Sequence, residues 1–496
     1  MGELRFAVHP PELLDAFPGF DQTYVTGHDL VPSPSHCSID NGQLVCRHSV
    51  GQSAVFVVPW RVERFGKLLL RTATLLDRTE PYQLQVELAR GKLNQVRNQL
   101  ADWQSVGLAP SAESRESVEH AIRHFVRAVA HQDDPPTTAF EAGQALSHAL
   151  EAAERLTADY TRQALAARHR QYPQFSTLLS CCLGHAAPQK KWGPSFLSAF
   201  NSAVVPINWK HIEPHEGEYR WDAYDRQVKW CQKHRLITRG GPLLDFGPEG
   251  IPDWLWLWEG DFDNVVSFVS DFTETVVSRY LGKIRVWEVT NRANSGDLLS
   301  FNEEQRLRLT VKILEVARQI DAEAQFVIRV DQPWGHYAAG RTDQLSPLDF
   351  ADALLRADLG LGGVDLEISF GYSPGVATPC DLMEVSRLLD RWSMLGVPLQ
   401  LTLAFPSSEV PDPNAVRKVV VPPNVWRRAW DEQAQADWLA ELVTLALAKS
   451  TIQAIAWAHF CDADEHDWPH AGLLRADGTP KPAFDQLARI RREHLR

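Results

Sequence analysis

Four groups of side chains in this sequence have the types that chemistry requires. The stretch "VWEVTNRANSG", residues 286–296, closes an apolar run with Asn291 and Arg292 and carries Glu288 four residues before the arginine. On a strand Glu288 and Arg292 share a face, and at about 3.3 Å per residue the acid lies roughly 13 Å deeper. Asp245 in "LITRGGPLLDF" and Asp331 in "QFVIRVDQPW" sit at or near the ends of two further apolar runs. Carboxyl groups placed in this way are the material of a general acid and base. Arg292 is not, because a guanidinium stays protonated with a pKa above about 12. Its planar fork suits recognition of a carboxylate or sulfate, and equally suits a salt bridge with Asp245 or Asp331. Glu288 reads as a buried, hydrogen-bonded acid with Arg239 or Arg329 as its partner. The last group, Asp462, Asp464, Glu465, His466 and Asp467, has ligands for a cation or a sugar hydroxyl but reads first as a solvated acidic loop.

These residues need elements to hold them. From about residue 175, short apolar β-rich segments alternate with helical ones: "LLSCCLGHAA", "FNSAVVPINW", "LITRGGPLLDF", "KIRVWEVTN", "QFVIRVDQPW", "GVDLEISFGY", "VPLQLTLAF" and "IQAIAWAHF". Helical patterns such as 302–320 and 379–394 lie between them. Eight repeated βα units predict an α/β fold, a closed (β/α)8 barrel over 175–496, whose chemistry belongs at the C-terminal ends of the strands. Residues 1–108 alternate β-like runs with Pro, Gly and Asp turns, which predicts a small sandwich, and add one helix in "YQLQVELARGKLNQVRNQLADW". Residues 109–174 predict a helical hairpin, broken at "HQDDPPTT" where paired prolines stop the first helix.

Bulk properties narrow the class. A chain of 496 residues predicts two or three domains. Hydrophobic content of 44% and charged content of 23% are those of a soluble globular protein. No apolar run reaches the ~18 residues of a membrane span, and the start "MGELRFAVHPPELL" is a poor secretory signal, so a cytoplasmic location is expected. A net charge of −13 without a long basic run disfavours nucleic acid. The seven cysteines read as buried thiols, with Cys37 and Cys46 able to close one loop. No CxxC or HExxH pattern argues for a metal, and no cofactor is expected. Seventeen tryptophans are the more telling count, because such rings fill cores and also stack on sugars.

At the strand ends the sequence resembles glycoside hydrolase family 10, the endo-β-1,4-xylanase barrel, over residues 175–490. "FNSAVVPINWKHIEPHEGEYRWDAYDRQVKWCQKH" is similar to the second strand and helix of that family, and "SRYLGKIRVWEVTNRAN" to its fourth-strand signature. "GVPLQLTLAF" resembles the seventh strand, and "LLRADGTPKPAF" the closing segment. The resemblance implies sugar-binding roles for Asn208, Trp209, Asn291, Trp457 and Trp468, with Arg292 also facing the ligand. It places the acid/base glutamate on Arg292 and the nucleophile glutamate on Leu403, so both catalytic groups are replaced. Other family positions fall on Gly241, Asp245, Phe246, Gly371 and Ser373. Retaining glycosidases need two carboxyls about 5–5.5 Å apart, which this pair does not supply.

Three functions follow as expectations. The first is a xylanase-like pseudoenzyme that binds β-linked or acidic polysaccharide in the cleft. The second is a glycosidase or lyase with relocated carboxylates, Asp245 and Asp331. The third is a non-catalytic interaction or scaffold protein using the sandwich and helical pair. The glycan, the role of the sandwich and the oligomeric state are not legible in the sequence.

Overall fold

All eight apolar runs from residue 178 onward form parallel strands of one closed barrel: Leu178–Cys182, Ser202–Pro206, Ile237–Gly241, Val286–Glu288, Gln325–Val330, Leu361–Ser369, Leu399–Ala404 and Ile452–Trp457, the eighth pairing with the first. The computed structural model describes residues 2–15, 22–51, 53–188, 191–247, 249–340, 345–374, 378–423 and 427–496. The two helical patterns read between strands appear as Glu303–Ile320 and Leu382–Ser393. The first is closed by a capping box, in which Asn302 accepts from the Gln305 amide and Gln305 reaches back.

The barrel interior is charged where such interiors are usually filled by branched apolar side chains. Arg239 of the third strand donates to Asp365 at 3.0 Å and Gln400 at 2.5 Å, and Thr402 donates to the same Asp365 at 3.0 Å. Arg329 pairs with Glu288, as one of the two partners expected for that acid, and approaches Glu367 at 3.8 Å. Burial pushes Glu288 up to about 7, against the pull of Arg329.

Ahead of the barrel stand two four-stranded sheets, one containing Gly2–Ala7 and Gln43–His48, the other Ser53–Val62 and Gly66–Leu76. Phe6 and Phe56 meet across them with ring centroids 4.5 Å apart. Cys37 and Cys46 face each other across paired strands as free, buried thiols. The helix Leu84–Ser105 packs on the strand Gly66–Leu76 and on the long helix Pro135–Gln171, so the hairpin helices and this one form a three-helix layer. Pro135 and Pro136 occupy the first turn of that long helix, where a missing N–H costs nothing. Sandwich, helices and barrel share one apolar core, running from Phe6 and Phe56 through Leu88 and Leu150 into the barrel's helical shell. Lys92 seals this join by an ion pair with Asp381 at 2.6 Å, both side chains almost wholly buried.

Candidate active site

The C-terminal ends of the strands surround a cavity of about 190 Å3 lined by Asn208, Asp245, Asn291, Arg292, Glu367, Arg417, Trp457 and Trp468 among others. It adjoins an open groove that shares His185, Tyr224 and Glu465 with it and runs past Tyr219 and Trp221. Trp221 is held by Tyr219, 5.4 Å away, and by the Arg279 guanidinium, 4.8 Å from its ring. "EGEYRW" was visible as the segment after the second strand, yet no periodicity marks its rings as a groove wall.

Arg292 closes the site on itself. The chain turns sharply after the fourth strand, with Arg292 in the left-handed region at φ 59°. Its carbonyl accepts from the amides of Ser295 and Gly296, and its side chain folds back to Asp245. Nε donates to Asp245 Oδ1 at 2.9 Å and Nη2 to Oδ2 at 2.7 Å, a bidentate pair. Asn291 Nδ2, at 3.1 Å, and the Gly247 amide, at 2.8 Å, complete the carboxylate's shell. A Cβ at Gly247 would stand 2.6 Å from the Arg292 guanidinium carbon, so a larger residue there would have to shift that side chain. Of the two roles open to Arg292, the structure contains the salt bridge, and its partner is Asp245.

That pair decides what Asp245 can do. Burial alone would raise its pKa, but the Arg292 charge and the hydrogen bonds from Arg292, Gly247 and Asn291 outweigh burial and hold it below the usual carboxylate range. A carboxylate so saturated is a poor proton donor and has no lone pair free for a base. Asp331 is buried outside the cavity, accepting from Ser295 Oγ and Gln332 Nε2, both at 3.1 Å. The relocated pair Asp245 and Asp331 is therefore corrected: one member is consumed and the other lies elsewhere.

Two more expectations change. Trp209 is 2% exposed and does not line the cavity. Its ring stacks on Phe272 at 4.5 Å, and its Nε1 donates to Glu213 at 2.8 Å, so it belongs to the core between the barrel and its helices. Leu403 is fully buried and does not line the cavity, whereas Thr402 does. Alternation along the seventh strand turns Gln400 and Thr402 inward and Leu403 away, so no side chain of Leu403 faces Arg292. Asn208 does line the cavity, but its Oδ1 caps the short helix Trp209–Ile212 by accepting from the His211 amide at 3.0 Å.

The residue that sequence reading missed is Glu367, inside "GVDLEISFGY". It is 5% exposed and lines the cavity, with Arg417 Nη1 at 3.6 Å from an Oε1 that has no hydrogen-bond partner. Burial and the Asp331 charge raise its pKa against Arg417, Arg329 and Arg292. Arg417 also lies 4.0 Å over the Trp468 ring. Trp457 donates Nε1 to the Ala471 carbonyl at 2.7 Å. Among the described residues three further buried atoms around the cavity lack partners: Asn291 Oδ1, His459 Nδ1 and Arg329 Nε.

The acidic stretch after the eighth strand is not the solvated loop expected throughout. Asp464, Glu465 and Asp467 are exposed, whereas His466 is buried. Asp462 accepts from Lys481 Nζ at 2.5 Å and the Gly472 amide at 2.7 Å and pairs with His459 Nε2 at 3.2 Å. His459, Asp462 and His466 bring ligand-type atoms within 4.8 Å of one another. The Lys481 ammonium already supplies positive charge to Asp462, and His466 is engaged with Asp412 and the Asp464 carbonyl. This grouping reads as a hydrogen-bonded support rather than a cation cage.

A parallel eight-stranded barrel with an aromatic, polar-lined cavity at its C-terminal face defines a (β/α)8 barrel with its candidate site where such barrels carry theirs. The glycosyl hydrolase family 10 model matches residues 190–327, which carry the second to fourth strands and Arg292 but not Glu367 or Leu403. Endo-1,4-beta-xylanase 2 of Claviceps purpurea is 34% identical over 99 residues, 19% of this chain and 30% of that protein. Endo-1,4-beta-xylanase B of Thermotoga neapolitana is 27% identical over 89 residues, 18% of this chain and 25% of that protein. The matched segments thus span about a quarter to a third of the length of these relatives. Native xylanase 10B of Thermotoga maritima superposes with a TM-score of 0.51 at 15% identity, covering 66% of this chain and 96% of that one. Xylanase 10B of Thermotoga petrophila, in complex with xylobiose, gives 0.50 at 16% identity over 66% of this chain and 95% of that one. The barrel of this protein thus has the (β/α)8 fold and is similar, over its second to fourth strands, to glycosyl hydrolase family 10.

Proposed function

We propose that the barrel mouth binds a sugar unit of a β-linked polysaccharide and does not run the standard retaining hydrolysis. The observation that carries this reading is the set of buried atoms around the cavity without a partner among the described residues: the acceptors Glu367 Oε1, Asn291 Oδ1 and His459 Nδ1, and the donor Arg329 Nε. Buried polar atoms normally find partners, and hydroxyls of a ligand are suitable ones. Trp457 and Trp468 supply the apolar wall on which a sugar face packs. The cavity is smaller than the roughly 300–1,000 Å3 of drug-sized pockets, which favours one sugar unit in the mouth with the chain continuing along the groove by Tyr219 and Trp221. The arginines here already have carboxylate partners, which favours a neutral glycan over an acidic one.

Calorimetric titration with β-linked xylo-, gluco- and manno-oligosaccharides and with a polyuronate tests it. Binding to at least one neutral oligosaccharide, weakened by Glu367→Gln, is expected. No heat with any of them removes the proposal. A second reading rests on Glu367 alone: a cavity carboxyl with a raised pKa has the property of a general acid. Sugar release from the same oligosaccharides, abolished by Glu367→Gln, supports hydrolysis, and a silent panel rejects it.

A further inference from the structure

A second cavity, of about 140 Å3, lies where the sandwich meets the barrel. The helix Leu382–Ser393 contributes Glu384, Arg387, Leu388 and Arg391 to its wall, a spacing of three, four and seven that places them on one stripe. Opposite stand Tyr24, Val57, Leu70 and Arg71 from the sandwich, with Trp334 from the loop after the fifth barrel strand. The site has an apolar floor and a rim of hydrogen-bond donors.

The ion pairs around it leave two guanidinium groups over among the described residues. Glu384 is taken by Arg71 and by the Gln95 amide, and Asp381 by Lys92. Arg387 and Arg391 remain, and neither makes a hydrogen bond or an ion pair with a described residue. The carboxylates that act on Arg391, Asp29, Asp349 and Glu384, do so from beyond ion-pair distance. Burial pushes both guanidinium groups below the usual arginine value, with Glu384 pulling Arg387 back up and Asp29 pulling Arg391. Trp334 Nε1 is buried, and neither it nor the Tyr24 hydroxyl has a hydrogen bond to a described residue.

We propose that this junction cavity binds a compact oxyanion, the carboxylate, phosphate or sulfate of a small molecule, between Arg387 and Arg391. Two forked guanidinium groups one helical turn apart offer bidentate donors to such a group. Tyr24 and Trp334 add neutral donors, and Val57, Leu70 and Leu388 accept the ligand's apolar body. Because Tyr24 belongs to the sandwich and the arginines to the barrel, the bound anion ties the two together. The site is separate from the barrel mouth and stands whether or not the mouth binds glycan.

The test is calorimetric titration of the full chain with sodium sulfate, sodium phosphate and sodium glucuronate at constant ionic strength. At least one should bind saturably and raise the melting midpoint with concentration, as any ligand of the folded state does. Arg387→Gln and Arg391→Gln should each weaken that binding about tenfold or more, since a charge-assisted bond is lost. Arg356→Gln, at an exposed arginine of another helix, should bind as the wild type does. Preference for sulfate or phosphate identifies a tetrahedral anion, and preference for glucuronate an acidic sugar. No saturable binding of any of the three overturns the proposal, as does binding unchanged in both glutamine variants. If those variants fail to fold, Arg391→Lys and Tyr24→Phe replace them, and unchanged affinity in both overturns it equally.

Discussion

The barrel mouth and the junction cavity both gather arginines, and they treat the charge in opposite ways. At the mouth Arg292 is bound bidentately by Asp245, Arg329 by Glu288, and Arg417 approaches Glu367. At the junction Arg71 and Lys92 use up Glu384 and Asp381, leaving Arg387 and Arg391 without an ion pair among the described residues. A buried cation without a counter-charge costs stability, and a paired one has little left to offer a ligand. The mouth has therefore turned its cation Arg292 into a structural tie and kept three acceptors and the Arg329 Nε donor free among the described residues, which suits hydroxyls. The junction has kept donors free, which suits an anion.

A large effect should come from breaking the mouth's tie. Asp245→Ala leaves the half-buried Arg292 without its counter-charge and should cost about 3 kcal/mol in urea unfolding. The double change Asp245→Ala with Arg292→Met should recover most of that loss. A single variant no less stable than the double would mean that Arg292 needs no counter-charge at the mouth. Of similar size is Trp209→Ala, where loss of a fully buried ring should lower stability by about 3–5 kcal/mol. Retained stability with lost oligosaccharide binding would return Trp209 to the site.

The pH dependence sharpens the charge comparison further. Glu288 is raised to about 7, so between its unfolded value and 7 the folded chain holds a proton that the unfolded chain releases. Its contribution is full below the unfolded value and fades as pH rises through about 7, at up to about 1.4 kcal/mol per pH unit. His336 and His459 are lowered to about 4, chiefly by burial, and act the other way, their contribution fading as pH falls through 4. The slopes oppose one another in the wild type. Glu288→Gln should unmask a steeper rise of stability from about pH 4 to 6.5, measured by denaturation across pH. A profile identical to wild type would remove Glu288 from this account. The smallest effect belongs to the junction: in buffer free of multivalent anions Arg391→Gln should change stability by less than about 1 kcal/mol, with a gain as likely in sign as a loss. A loss comparable to that of Asp245→Ala would show that Arg391 has a partner, and the contrast between the two cavities would fail.

The barrel was legible because each strand is a short, self-contained apolar run between helices, and such periodicity is local. Glu288 with Arg329 was legible as one of two options, since position on a strand limits the partners. The side on which Leu403 falls was not, because similarity to a motif assigns a place in the chain and not a facing. Trp209 failed for a related reason: a tryptophan after a strand end suits a sugar floor and a core equally. Glu367 was hidden because an acid inside an apolar run carries no sign of which neighbours it will meet.

What the sequence determined by itself is the run of eight βα units, the permanent cation Arg292 at the end of the fourth strand, and the acidic, tryptophan-rich character of the chain. Only the tertiary structure decided what the charges do. Asp245 lies 47 residues from Arg292, and Arg71 lies 313 residues from Glu384. Whether a cation is tied or free depends on which carboxylate the closed barrel and its docked sandwich bring within about 3 Å. Separations of that kind are set by global packing, which no local pattern encodes.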